Sequence, residues 1–332
     1  MIRKKTLYIL TVIILLILVV NYCNYSSTYL ENFSSNKRVF IVTSLLGKGY
    51  AKRIREEMLN INSNLDITIM NVREFEIWCK NKNNRPFLII VRSATPENTN
   101  WMICLKELEK KGVKIYNPPH VLQLTSNKLT SSIHLIKKGV PHPDSKRGVH
   151  NSKETLKIIR NMLKKYNKVI VKPFTSSDQG KYVQKISYDM SDNEITNKIN
   201  QIPKSPFVIQ EYIQYKAIYR IIVVNNKALP LAYKDTPTLG KWKVSVCLNP
   251  NMKFVSDPPS KLLRTAEQVQ RAILNGGVHF IDLFEKEDGN YVVSEINTAC
   301  SLLLHEKMAK MAKHTHYNIA YYLAKYYISL LD

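Results

Sequence analysis

Between Lys37 and Pro118 the apolar positions switch repeatedly between two spacings. RVFIVTS, LDITIMNV and FLIIVRS are short apolar runs rich in β-branched residues and predict strands. KGYAKRIREEMLNI and NTNWMICLKELEKKG have helical spacing, the second ending at Gly112, and KIYNPP closes the block with a strand and a turn. Strands alternating with helices predict a parallel sheet covered on both faces. TSNKLTSSIHLIKKGVPHPDS then predicts a helix with Ile133, Leu135 and Ile136 inside and Gly139 at its end, followed by a helix over SKETLKIIRNMLKKY. KVIVKPF reads as a strand stopped at Pro173, and TSSDQGKYV as a polar loop leading to another strand. PFVIQEYI is a further strand, YRIIVVNNKALPLAYK a hairpin turning at Asn225-Asn226, and a helix runs from about Pro259 to Asn275. LLLHEKMAKMAK and YNIAYYLAKYYISLL read as C-terminal helices, the second with a tyrosine stripe at packing spacing.

FIDLFEKEDGNYVVSEIN is an apolar run, a charged turn with Asp288-Gly289, and a second apolar run. A two-residue type I′ loop there sets Glu287 opposite Asn290 and, counting back, Asp282 opposite Glu295. Glu295 and Asn297 then share one face, with Val293 and Ile296 assigned to apolar surroundings. Two carboxylates about 5 Å apart repel by roughly 3 kcal/mol at an effective dielectric near 20, and a cation reverses that sign. Asp282, Glu295 and Asn297 offer only hard oxygen ligands, the set that suits Mg²⁺ beside substrate phosphates; Mn²⁺ fits the same donors. A solvated hairpin face is the alternative, which the apolar character of both strands disfavours.

The chain has 332 residues, 45% apolar, with a formal net charge of +23. That is enough for two or three globular domains and implies attraction to polyanions. The lysines are scattered along the whole chain, and no zinc finger, RNP-type signature or basic arm is present, so no specific nucleic-acid partner is expected. Cys23, Cys79, Cys104, Cys247 and Cys300 are far apart without a C-x-x-C pair, which argues against a disulfide framework or structural zinc and for free thiols. MIRKKTLYILTVIILLILVVNYC places Arg3, Lys4 and Lys5 before an apolar run and lacks a small-residue cleavage pattern. It predicts an uncleaved single-pass anchor over residues 1–23, hence a membrane location, with a polar linker over 24–36. The flanking charges place the body across the membrane, but the side stays open.

Lys172 ends the apolar Val169-Ile170-Val171 and needs an anion or water there. Ser176, Ser177 and Gly180 sit in a small-residue loop whose backbone N–H groups can approach phosphate, though an ordinary hairpin loop has the same composition. Arg220 leads IIVV into a sheet and suits a two-pronged grip on phosphate or carboxylate. Taken in order, Lys128, VIVKP with Lys172, the small-residue loop, QEYI (Gln210, Glu211, Tyr212, Ile213), YRIIVV with Arg220, and IDLF…VVSEIN resemble the ATP-grasp superfamily. The likeness is closest to its RimK-like carboxylate-amine ligases and spans residues 37–330.

That resemblance implies an α/β (α+β) chain with an N-terminal parallel-sheet pre-ATP-grasp domain over 37–124, a central subdomain over 125–205 and a C-terminal subdomain over 206–332. It implies that Lys128 and Lys172 touch ATP phosphates or adenine, Gln210 to Ile213 hold adenine, and Glu211 or a neighbour reaches ribose. Arg220 would stabilise the transferring phosphoryl group, with Lys172 as its catalytic companion, and Asp282, Glu295 and Asn297 would bind Mg²⁺. The implied activity joins a small-molecule or peptide carboxylate to an amine, such as an amino acid, through an acylphosphate, releasing ADP and phosphate. Arg92, Lys241 and Lys243 are candidates to attract an acidic substrate. Ile218 stands where the family often carries an acid two residues before the arginine, and NTACSL replaces the common asparagine-serine-proline-glycine. Two alternatives remain: an ATP-grasp kinase acting on a small polyol or sugar phosphate, and a membrane-tethered nucleotide-binding protein without turnover.

Overall fold

A computed structural model describes residues 37–44, 47–81, 85–92, 100–175, 182–203, 206–237, 242, 253–299 and 318–332. The first sheet is parallel, in the order β2-β1-β3-β4, from β1 (Arg38–Thr43), β2 (Asp66–Asn71), β3 (Leu88–Arg92) and β4 (Lys114–Tyr116). Helices α1 (Lys48–Ile61), α2 (Val72–Asn81) and α3 (Asn100–Lys110) cover it. The pattern of apolar positions anticipates this block except for α2, which buries only Phe75 and Cys79. Its start is nevertheless written in the sequence, because Asn71 and Glu74 each accept the other's backbone N–H, at 2.9 and 2.7 Å.

Next come α4 (Pro119–Ser126) and α5 (Lys128–Lys137), then a second, antiparallel sheet in the order β5-β8-β6-β7. Its strands are β5 (Ser145–Gly148), β6 (Lys168–Pro173), β7 (Gln184–Ser187) and β8 (Phe207–Glu211). α6 (Lys153–Tyr166) and α7 (Asp192–Asn200) pack on one face, against Val169, Val171, Phe207 and Ile209. Alternation therefore turns Ile170, Lys172, Val208 and Gln210 toward the other face. β8 pairs with β5 and β6, so this sheet extends beyond residue 205, where the sequence places the next subdomain.

The third sheet has the order β11-β10-β9-β12-β13, from β9 (Ala217–Val224), β10 (Lys227–Asp235), β11 (Lys253–Val255), β12 (Val278–Glu285) and β13 (Tyr291–Asn297). Asn225 and Asn226 turn the β9–β10 hairpin at φ 48° and 65°, a left-handed pair for which asparagine is well suited. α8 (Ser260–Ile273) covers one face. The other face shares a core with α9 (Ile319–Ser329), α1 and the parallel sheet. Lys37 and Lys114 donate to the Leu331 and Leu330 carbonyls just beyond α9, cations placed where the helix dipole favours them.

Three expectations are corrected. Residues 1–23 and 24–36, the expected anchor and linker, lie outside the described residues, and among the described residues no helix is long and apolar enough to cross a membrane. The membrane assignment is withdrawn on that finding. Cys79 and Cys104 are disulfide-bonded between α2 and α3 rather than free; their separation of 25 residues hides a juxtaposition that only helix packing creates. On α5, Leu135 is buried, but Ile133 and Ile136 are 42% and 44% exposed. The LLLHEKMAKMAK segment lies outside the described residues.

Candidate active site

Arg220, Asp282 and Glu295 lie in one row across β9, β12 and β13, because Asp282 is registered against Arg220 on one side and Glu295 on the other. Opposed residues in antiparallel strands project from the same face. Arg220 Nε donates to Asp282 Oδ1 at 2.7 Å and Nη2 to Oδ2 at 2.6 Å, with both residues buried. Asn297, opposite Phe280, carries a buried amide nitrogen with no hydrogen-bond partner.

The register arises differently from the two-residue turn read in the sequence. Lys286 N–H donates to Asn290 O and Gly289 lies at φ 73°, so the loop has three residues and Glu285 faces Tyr291. A bulge at Ser294, between the Leu283↔Val293 and Asp282↔Glu295 pairs, restores the offset. Val293 N–H instead bonds Pro141 O at 3.0 Å. The bulge also explains why Val293 and Ile296, three apart, share the α8 core while Glu295 does not.

The facing wall comes from the second sheet. Lys172 Nζ donates to Gln210 Oε1 at 2.7 Å, Gln210 Nε2 to Ser145 Oγ at 2.9 Å, and Ser145 Oγ to the Pro143 carbonyl at 3.0 Å. Burial, reinforced by Lys128, pushes the Lys172 ammonium down to about 8, against an upward pull from Glu295. Lys128 opens α5, capped by Asn127, whose side chain accepts the Leu129 and Thr130 N–H groups. A lysine in a first turn opposes the helix dipole. Here it reaches across to Glu295 at 2.6 Å. Burial alone would raise the Glu295 carboxyl, but Lys128, with Lys172 and Arg220 behind it, draws it below the ordinary carboxylate range. The cavity between these walls, lined also by Ser131, His142 and Ser294, is closed down to about 10 Å³.

The donor set fits a hard divalent ion. Asp282 faces Glu295, Asn297 lies two residues along the same face of β13, and its amide, whose nitrogen is unpartnered, can present its oxygen by a flip. Among the described residues no group of three His, Cys, Asp or Glu forms a metal cluster, consistent with a set whose third member is an amide. Both carboxylates are held by cations, so Lys128, Lys172 and Arg220 outweigh Asp282 and Glu295 in charge. A bare cation is disfavoured in such surroundings, whereas a polyphosphate with its metal is not.

The remaining predicted residues are dispersed. Ser176, Ser177, Gly180, Lys241 and Lys243 lie outside the described residues. Glu211 is a correction: alternation turns it to the opposite face of β8 from Gln210, where its carboxylate accepts the Asp144 N–H at 3.2 Å. Gln210 is the neighbour that lines the cavity. Tyr212 lies beside Trp242, with Lys185 Nζ 5.3 and 5.1 Å from the two ring centroids, and Ile213 is buried. Arg92 is also corrected: it is 6% exposed, packed over the Tyr50 and Phe280 rings, rather than a surface charge for a substrate. Two residues were missed. Asp235, 1% exposed on β10, stands directly opposite Ile218, so an acid is present on this face from the neighbouring strand. His142 lines the cavity, and only its position in VPHP hints at it.

No protein-family model matches the chain. Beta-citrylglutamate synthase B of Mus musculus is 26% identical over 253 residues, 74% of this chain and 61% of that protein. Glutamate–LysW ligase ArgX of Sulfolobus acidocaldarius is 27% identical over 194 residues, 57% of this chain and 66% of that protein. The chain thus spans less than two thirds of the length of these relatives. Among solved structures, D-cycloserine synthetase DcsG superposes with a TM-score of 0.64 at 14% identity, over 89% of this chain and 100% of that one. ATP-grasp ligase PsnB with a minimal precursor superposes with a TM-score of 0.63 at 15% identity, over 89% and 99%.

Proposed function

We propose, for a chain that has the ATP-grasp fold, that it is a Mg-ATP-dependent carboxylate-amine ligase. The observation that carries this reading is the convergence of Lys128, Lys172 and Glu295 in one cavity, with Glu295 in row with Asp282 and Arg220. A substrate carboxylate oxygen attacks the γ-phosphorus of ATP, the bond to the bridging oxygen breaks, and ADP leaves. An amine then attacks the acyl carbon, loses a proton, and expels phosphate that carries the former carboxylate oxygen. No protein nucleophile is needed; the chain supplies orientation and charge.

Lys172 and Lys128 would hold the phosphates, and Gln210, with Tyr212 and Ile213 just after β8, would hold adenine. Asp282, Glu295 and Asn297 would ligate Mg²⁺, which when bound neutralises charge on the β- and γ-phosphates. Arg220, whose guanidinium is held by Asp282 through two hydrogen bonds, would stand beside the transferring group. The names of both relatives contain glutamate, which makes an amino-acid or peptide substrate the first class to try.

The test is phosphate release from Mg-ATP across amino acids, dipeptides and peptide carboxylates, starting with glutamate. Release that requires a carboxylate and an amine together supports the ligase. Phosphate transferred to a hydroxyl with no need for amine contradicts it.

A further inference from the structure

The segment Gly139-Val140-Pro141-His142-Pro143 joins α5 to β5 and is fixed at several points. Gly139 leaves the helix at φ 71°, Val140 is 3% exposed, and Pro141 O holds the Val293 N–H at the bulge. The two prolines set their own φ and remove competing N–H donors. His142 is thereby presented to the cavity that also exposes Lys128, Lys172, Gln210 and Glu295.

Its ring orientation is determined by its partners. Nδ1 lies 3.0 Å from the Pro143 carbonyl oxygen and 3.0 Å from Ser132 Oγ. A carbonyl oxygen can only accept, so Nδ1 carries the proton and the Ser132 oxygen accepts the other branch of the bond. Nε2 is then a bare acceptor. Among the described residues no donor reaches it, it is not sealed from solvent, and it belongs to a residue that lines the cavity. Burial pushes the imidazole down to about 4, with Lys172 acting in the same direction against the Pro143 carbonyl. The ring therefore stays neutral near pH 7.

A neutral acceptor has no use for a phosphate, whose oxygens are also acceptors. The donors on ATP are the 6-amino group of adenine and the ribose hydroxyls. His142 is tied through Pro143 and Ser145 to Gln210, the residue assigned above to the adenine end, while Ser132 ties it to α5, the helix that opens with Lys128. We propose that His142 reads the nucleobase: Nε2 accepts a hydrogen bond from the adenine 6-amino group and disfavours guanine, which presents an acceptor oxygen at that position. This rests on the nucleotide site proposed above.

The test uses the full chain and its His142→Leu and His142→Gln variants, with binding of Mg-ATP, Mg-GTP and Mg-2′-deoxy-ATP measured by calorimetry and folding followed by thermal unfolding. The parent is expected to bind ATP well and GTP weakly. His142→Leu should bind ATP about tenfold more weakly, as expected for one lost hydrogen bond, and its preference over GTP should shrink by about the same factor. Its 2′-deoxy-ATP to ATP ratio should match that of the parent. His142→Gln, which keeps an acceptor, should recover part of the preference and decides the matter if the leucine variant does not fold. An unchanged ATP to GTP ratio in the folded variants overturns the inference. So does a change confined to the 2′-deoxy ratio, which would place His142 at ribose. A parent that binds no nucleotide at all overturns the site assignment itself, a result distinct from retained binding without selectivity.

Discussion

Arg220 grips Asp282 through two parallel hydrogen bonds of 2.7 and 2.6 Å between neighbouring strands, and the residues are 5% and 4% exposed. Removing one partner leaves a charge buried without its counter-ion. Asp282→Ala is expected to lose about 3–5 kcal/mol of stability, read by chemical denaturation. The double replacement Arg220→Met with Asp282→Leu should stay close to the parent in stability, because two apolar groups need no pairing. It should nonetheless have no ATP turnover; retained turnover would remove the pair from the chemistry.

Glu295 presents a different balance, since its partner Lys128 reaches it from α5 across the cavity. Glu295→Gln should fold normally, because an amide still accepts from Lys128, yet lose at least about a hundredfold in Mg-ATP turnover. In the parent, calorimetry should detect Mg²⁺ binding only when ATP is present, as three nearby cations disfavour the ion alone. Saturable Mg²⁺ binding without nucleotide would contradict the charge argument.

Lys172 should make nucleotide affinity depend on pH in an unusual range. Its ammonium is charged below about 8 and neutral above, where an ordinary lysine stays charged to 10.5. Mg-ATP affinity is therefore expected to fall as pH rises through about 8, moderated by the upward pull of bound phosphate on the same group. Lys172→Arg keeps its charge throughout and should abolish that fall. A fall that persists in the arginine variant would assign it to another group.

Cys79 and Cys104 close a loop of 25 residues across α2 and α3. Mass analysis after alkylation without reductant should find these two thiols blocked and should find them free after reduction. The Cys79→Ser, Cys104→Ser double variant should lose about 3.5 kcal/mol by the loop-entropy model. Alkylation of both without reductant would show that the bond does not form.

The legibility of this chain depended on whether a feature was local. Periodicity exposes the strands and most helices, and the Asn225-Asn226 turn is written in two residues whose chemistry matches their φ angles. The Asp282↔Glu295 register was anticipated, but from a two-residue turn; the three-residue loop and the Ser294 bulge shift the register in opposite senses and cancel. α2 and α7 bury only two residues each, too few to mark a period, although each begins with a capping signature at Asn71 and Ser191. Glu211 was misplaced because motif order ignores which face a strand residue occupies. His142 and Asp235 enter the site region only through tertiary placement, from a proline-rich connection and a neighbouring strand. The membrane anchor was expected from the N-terminal apolar run, its flanking positive charges and the missing cleavage pattern; that segment lies outside the described residues, among which no helix is long and apolar enough to cross a membrane.

The central claim is that the γ-phosphoryl group of ATP passes to a carboxylate before an amine displaces it. Turnover with Mg-ATP, an amine and a substrate whose carboxylate carries ¹⁸O tests this by mass analysis of the released phosphate. One ¹⁸O atom in each phosphate, together with ADP and an amide, is the predicted result. Phosphate free of ¹⁸O, or a phosphorylated hydroxyl product, would contradict it.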